Sequence, residues 1–101
     1  LEGSTHRIGI HGHTDNVPIG GALAERYPTN WELAGARAAR VVRLFAAAGI
    51  DTRRMSAVSR GDSDPVASNE DAEGRARNRR IEIRLIPEPP PIAEPAPEPS
   101  A

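Results

Sequence analysis

The densest cluster of polar side chains in this 101-residue chain is at positions 11–16, where the sequence is HGHTDN. His11, His13 and Asp15 repeat the HxHxD pattern of zinc hydrolases, because alternate residues of an extended segment point to the same side. Such an enzyme needs further metal ligands downstream, yet the chain holds three histidines and no cysteine. We therefore expect no metal, no cofactor and no enzyme activity, and a zinc-dependent hydrolase is the weaker alternative.

A second group lies at the start of a predicted helix, where Asn30 precedes Arg37 by about two turns. The free N–H groups and the positive dipole end of a helix favour a bound anion at this point. Considered alone, the two residues also fit a simple helix cap followed by a solvated surface arginine. The residues by themselves leave both interpretations open.

A third group is the basic run RARNRR at residues 75–80, which follows acidic residues at positions 70, 71 and 73. Those acidic neighbours indicate local neutralisation of the run. The chain as a whole has a formal net charge of -1 and one residue each of Trp, Tyr and Phe. This composition indicates neither a general nucleic-acid surface nor an aromatic base-stacking platform, and nucleic acid is not an expected partner.

Hydrophobic periodicity predicts the elements that must position these groups. In chain order they are a strand at 6–12, a polar turn at 13–16, a loop at 17–28, a helix at 30–48, a strand at 55–59, a loop at 61–69, a short helix at 70–78 and a strand at 80–86. The best-marked element is the helix at 30–48, because Thr29 and Glu32 match a capping box and Gly49 follows its end. Arg37 falls at the edge of its apolar face, which comprises Ala34, Ala38, Val41, Val42, Phe45 and Ala48.

The composition divides the chain into a folding part, residues 1–86, and a Pro-rich tail, residues 87–101, which is expected to be disordered. No apolar run approaches the eighteen or so residues of a membrane span. Any membrane anchor or export signal is therefore expected upstream of Leu1. One helix and three short strands also make a thin hydrophobic core for a folded domain.

Four segments in this order resemble the OmpA-like peptidoglycan-binding domain, in the variety found in the flagellar stator protein MotB. They are residues 12–18 (GHTDNVP), 27–33 (YPTNWEL), 36–38 (ARA) and 74–83 (GRARNRRIEI). The resemblance covers about residues 8–86. It implies an α+β fold, a βαβαβαβ sandwich, of which the first strand and helix would precede Leu1.

The resemblance also implies a ligand and the residues that bind it. In that family an Asp in the Thr-Asp turn holds the ammonium of diaminopimelate, and an Arg on the next helix holds its carboxylate; these match Asp15 and Arg37. Thr14 and Asn30 match supporting hydrogen-bond positions. Arg79 is a further candidate, which supports the site or pairs with Asp15 when no ligand is bound.

The implied partner is peptidoglycan with diaminopimelate-type stem peptides, in the periplasm of a bacterial cell envelope. The implied role is to anchor a membrane protein or a flagellar stator protein to the cell wall, with the membrane reached through segments outside this chain. A homodimer is expected if the sheet edge is left uncovered. One departure, Leu33-Ala34 in place of the family's Leu-Ser, should alter packing rather than recognition, and an interaction domain with a decayed wall-binding site is a further alternative.

Overall fold

The computed structural model describes residues 6–87, which form a sheet of three strands with helices connecting them. The elements in chain order are β1 (Arg7–His13), α1 (Gly21–Arg26), α2 (Asn30–Ala47), a 3-10 turn (Thr52–Arg54), β2 (Met55–Gly61), α3 (Ala72–Asn78) and β3 (Arg80–Ile86). The predicted α+β class is confirmed. The predicted tail lies outside the described residues except for Pro87.

β1 is the central strand of the sheet, whose order is β2-β1-β3. β2 runs parallel to β1, with α2 in the crossover, and β3 runs antiparallel to β1. The register places His13, the last residue of β1, beside Gly61 at the end of β2 and Arg80 at the start of β3. The segment that follows β1 and the segment that precedes β3 therefore meet at the same end of the sheet, beyond the last residue of β1.

The core lies between β1 and α2. Ile8 and Ile10 alternate along β1, are fully buried and form the core cluster with the buried Ala38 of α2. Small residues let the two elements approach closely: a Cβ built on Gly12 would lie 2.1 Å from the carbonyl oxygen of Ala34. The buried position of Ala34 agrees with the prediction that the Leu33-Ala34 departure concerns packing.

The helix α2 begins at the predicted capping box. The hydroxyl of Thr29 accepts a hydrogen bond from the Trp31 N–H at 3.1 Å, and the Thr29 N–H donates to the Glu32 carboxylate at 2.7 Å. Two of the free N–H groups at this end are thereby satisfied. The helix ends at Ala47, one residue before the predicted end, and Gly49 follows with a φ of +103°.

The prediction of a loop over residues 17–28 is wrong in part, because Gly21–Arg26 forms the helix α1. The prolines and the Gly-Gly pair of this segment favour a loop, whereas the five residues ALAER after Gly21 include strong helix formers. None of the α1 residues is buried. Local propensity, and not an apolar face, therefore accounts for this short helix.

Smaller corrections concern the ends of the other elements. β1 continues through His13, which had been assigned to the turn, and β2 continues to Gly61 instead of ending at Ser59. α3 begins at Ala72, two residues later than predicted, with Asp71 capping the Gly74 N–H. Across residues 6–87, no helix is both long and apolar enough to cross a membrane.

Candidate ligand-binding site

Asp15 is held rigidly in the turn that leaves the central strand. The Thr14 N–H continues the pairing with β2 by donating to the Gly61 carbonyl at 2.9 Å, and the Thr14 hydroxyl donates to the Asp15 carbonyl at 2.8 Å. One oxygen of the Asp15 carboxylate accepts the Val17 N–H at 3.0 Å. Thr14 and Asp15 are both buried. The turn therefore presents one fixed carboxylate with a single oxygen left for a partner.

That second oxygen is occupied by Arg79. The Arg79 guanidinium donates to Asp15 Oδ2 at 2.7 Å, across 64 positions of sequence. The Asp15 side chain is 11% exposed and the Arg79 side chain 44% exposed, so the arginine covers the carboxylate from the solvent side. An ion pair open to water on one side is worth little net free energy and can exchange partners.

Asn30 connects this turn to α2. Its side-chain amide donates to the Asp15 carbonyl at 3.2 Å and to the Val17 carbonyl at 3.1 Å. The first residue of α2 is thus fastened to the segment that carries the carboxylate. Thr14, Asp15, Asn30 and Arg79, four of the predicted site residues, lie together in the structure.

Arg37 stands apart from that group. It is exposed on α2 and lines a groove of about 580 Å³ together with Arg26, Tyr27 and Leu33, and Asp15 is not among the lining residues. Within residues 6–87, its guanidinium has no hydrogen bond or ion pair. The structure therefore places a free guanidinium on the helix that the carboxylate turn is fastened to, and shows no direct contact between Arg37 and Asp15.

A polar cluster on β1 and β3 lies directly behind the Asp15 turn. His13 is fully buried, and its Nε2 lies 3.5 Å from Glu82 Oε2. Burial, with the nearby Arg80 charge, lowers the pKa of His13 and favours the neutral ring. Hydrogen bonds from Arg84 and Arg80 lower the pKa of Glu82 to about 2. This cluster was not predicted from the sequence; its signal there was the alternation of charged residues with Ile81, Ile83 and Leu85 along β3.

The HxHxD pattern does not gather metal ligands here. His11 and His13 lie on β1, while Asp15 turns away to pair with Arg79. Among the described residues, no three His, Cys, Asp or Glu side chains are arranged to hold a metal ion. The buried nitrogens of His13 also lack hydrogen-bond partners.

A second groove, of about 330 Å³, is lined by Asn30 together with Asn16, Trp31 and Asp62. The indole of Trp31 packs on Gly61, where a built Cβ would lie 2.6 Å from the ring. The Trp31 residue is still 48% exposed. This is the single tryptophan of the chain, so its fluorescence reports on the surface next to the site.

Comparisons with known proteins place this geometry in a family. The model of the OmpA family matches residues 1–79. Motility protein B of Bacillus subtilis is 40% identical over 79 residues, which are 77% of this chain and 29% of that protein. The chain thus spans less than a third of that relative.

Two solved structures give the same result for the fold. The cell wall anchor of the T6SS from Pseudomonas aeruginosa is 46% identical, with a TM-score of 0.73 over 83% of this chain and 57% of that one. The C-terminal domain of Helicobacter pylori MotB is 30% identical, with a TM-score of 0.76 over 84% of this chain and 62% of that one. Sequence and fold agree, and the chain belongs to the OmpA family.

Proposed function

We propose that this chain is a non-catalytic module that binds the diaminopimelate residue of peptidoglycan stem peptides in the periplasm. Through it, a parent membrane protein, of the flagellar stator type, is anchored to the cell wall. The observation that carries the proposal is the fixed, nearly buried carboxylate of Asp15. One of its oxygens accepts the Val17 N–H, and the other pairs with the partly exposed guanidinium of Arg79, which a ligand cation can displace. Such an oxygen is suited to receive the ammonium group of a ligand.

The ligand's amino-acid centre is a zwitterion, so it needs one anion and one cation from the protein. Asp15 supplies the anion. Arg37 supplies the cation and, with its planar fork, can hold both oxygens of a carboxylate. A lysine at that position would offer a point charge in place of two parallel N–H donors.

The placement of the two groups on the fold supports this pairing. Asn30 fastens the start of α2 to the Asp15 turn. Arg37 is on the same side of α2 as Asn30, about 10 Å further along the axis. Side chains of a helix lean toward its N-terminus, so the Arg37 guanidinium can extend back toward the turn. A ligand lying across the first two turns of α2 would meet both charges.

Arg79 keeps the site neutral before the ligand arrives. When the ligand's ammonium takes the place of the guanidinium at Asp15 Oδ2, the carboxylate remains paired throughout, and Arg79 moves into the solvent that already reaches it. Leaving a nearly buried carboxylate unpaired would cost several times more than exchanging one cation for another. The exchange also makes binding selective for ligands that bring a cation of their own.

The comparisons support the cell-wall role, because one structural neighbour is itself described as a cell wall anchor and others are MotB domains. The test is calorimetric titration of the chain with a muropeptide that carries diaminopimelate and with the matched lysine-type muropeptide. The lysine type lacks the side-chain carboxylate, so loss of charge-assisted hydrogen bonds to Arg37 should weaken binding by about 10- to 100-fold.

The control for this titration is His11→Ala, which removes the first residue of the HxHxD pattern and leaves Asp15 and Arg37 in place. Its affinity for the diaminopimelate muropeptide should stay within about twofold of the parent chain, since the partly buried His11 lies on β1, outside both the Asp15 turn and α2. Equal affinity of the parent chain for the two muropeptides, or no binding of either, would contradict the proposal.

A further inference from the structure

The groove beside α2 concentrates positive charge, of which the proposed stem-peptide site uses only Arg37. We call it the arginine groove and define it by Arg26, Arg37, Arg40 and Arg43, which surround Tyr27 and Leu33. Its volume is about 580 Å³. Three of the arginines follow one another at every third residue of α2, and the fourth ends α1. The arginine groove is thus formed by two helices.

Two contacts of the groove are fixed by the local structure. The Arg26 guanidinium lies 5.6 Å from the centre of the Tyr27 ring, within the range of a cation–π interaction. The Tyr27 N–H donates to the Leu23 carbonyl at 2.9 Å, which ends α1 and sets the position of the ring. One wall of the groove is therefore formed by the Arg26 guanidinium lying over the Tyr27 ring.

The arginines of α2 have no neutralising partners. Between Leu33 and Ile50 the sequence contains no acidic residue, and within residues 6–87 Arg37, Arg40 and Arg43 make no ion pair. Other arginines of the fold do pair with carboxylates, at 2.6 to 3.7 Å: Arg53, Arg60, Arg79, Arg80 and Arg84. Outside the arginine groove, residues 6–87 contain nine arginines and ten acidic residues, so the unpaired charge of the groove is a local concentration against a nearly neutral background.

That concentration has a cost for the folded helix. Like charges one turn apart on a helix destabilise it by a few tenths of a kcal/mol per pair. On an ordinary solvated helix face, glutamates alternate with the basic residues and offset this repulsion. A bound anion removes the repulsion, so the groove is more stable when it is occupied.

We infer that the arginine groove is a second binding site, which takes a linear oligoanion. Arg37 and Arg43 are about 9 Å apart along the helix, so successive anionic groups of one chain can meet successive guanidinium groups. Guanidinium forks bind phosphate and carboxylate groups alike, so both kinds of oligoanion share the required chemistry. The site is a groove that Tyr27 and Leu33 also line, and a groove favours an extended chain over a flat membrane surface. This inference is independent of the stem-peptide proposal, although Arg37 borders both sites.

The test is titration of the full chain with two probes of matched charge, a short linear polyphosphate and an oligoglutamate, which distinguish the phosphate source from the carboxylate source. Binding is followed by calorimetry at several salt concentrations. If each arginine contact releases about 0.7 of a counterion, four contacts predict that a fourfold rise in salt weakens binding by about 50-fold.

The informative variant is the double substitution Arg40→Gln with Arg43→Gln, which leaves Arg37 intact. Halving the contacts should reduce the same salt effect to about sevenfold and weaken binding at low salt by at least about tenfold. The matched control is Arg7→Gln with Arg77→Gln, because both residues are exposed and the change in net charge is identical. Circular dichroism checks that each variant keeps its helices.

Two binding measurements on one further variant distinguish the arginine groove from the stem-peptide site. Asp15→Asn should abolish muropeptide binding and leave oligoanion binding within about twofold. Equal losses of oligoanion affinity in the groove variant and in the control would overturn the inference, since the effect would then be one of net charge. Binding to anionic phosphatidylglycerol vesicles without binding to either soluble probe would overturn it as well.

Discussion

The close approach of β1 and α2 makes Gly12→Ala a sharp test of the packing that positions the site. A Cβ at this position would lie 2.1 Å from the Ala34 carbonyl oxygen and 2.9 Å from the carbonyl carbon. Ordinary contacts of a Cβ begin near 3.4 Å, so α2 must withdraw from β1 by roughly 1 Å. Both atoms that clash with the methyl group belong to the backbone, so no change of side-chain rotamer can relieve the clash.

Gly12→Ala lowers the unfolding free energy because it overpacks the centre of a thin core. Inserting a methylene-sized group into a well-packed core costs about 1–3 kcal/mol, and a backbone obstruction belongs at the upper end of that range. Alanine also restricts the unfolded chain more than glycine does, which offsets about 0.4–1 kcal/mol of that loss. The net loss of unfolding free energy should be about 2 kcal/mol, or roughly a 10 °C fall in Tm for a domain of this size.

The assay is urea unfolding followed by Trp31 fluorescence and by far-ultraviolet circular dichroism. The matched control is Gly35→Ala, one residue beyond Ala34, where a built Cβ meets Ser59 Cβ at an ordinary 3.5 Å. That change should stabilise α2 by about 0.5–1 kcal/mol, because alanine is a better helix former than glycine. A Gly12→Ala chain as stable as the parent would refute the close packing of α2 on β1, and with it the positioning of Asn30.

Two further predictions concern the sheet. Because hydrogen bonds from Arg84 and Arg80 lower the pKa of Glu82 to about 2 from an ordinary 4.5, the stability they confer is present above pH 4.5 and is lost as the pH falls toward 2. Glu82→Gln should flatten the unfolding free energy over that window in urea titrations, and an unchanged pH profile would contradict it. β3 is an edge strand of the described sheet with Ile83 and Leu85 about half exposed, so the chain should self-associate in sedimentation velocity, and Leu85→Lys should reduce the association. A parent chain that stays monomeric at all concentrations would contradict this.

Local chemistry made the main elements predictable. The capping box of Thr29 and Glu32 fixes the start of α2, and alternation of apolar residues fixes β1 and β3 to within one residue. α1 was missed because its six residues bury nothing and stand between prolines and glycines. Helices without an apolar face leave no periodic signal for a sequence analysis to detect.

The residues of the candidate site were predictable, and so was one of its contacts. The resemblance identified Asp15 and Arg79 and anticipated their pairing, although the two residues are 64 positions apart and no local pattern joins them. The sheet register also places His13 beside Arg80 and Glu82; the alternating charges of β3 were visible in the sequence, but their contact with His13 was not. Arg37 was assigned to the edge of the apolar face of α2, and the structure adds that it lines the arginine groove.

The most direct measurement of the proposed clamp is a double-mutant cycle of Asp15→Ala and Arg37→Ala, with diaminopimelate muropeptide binding measured by calorimetry at fixed salt. Each single substitution leaves a ligand charge unpaired and should cost about 2–4 kcal/mol, and Arg37→Lys should cost nearly as much as Arg37→Ala. Because both residues hold one zwitterion, the double variant should lose less than the sum of the two single losses. Strict additivity, or strong binding by either single variant, would contradict the clamp.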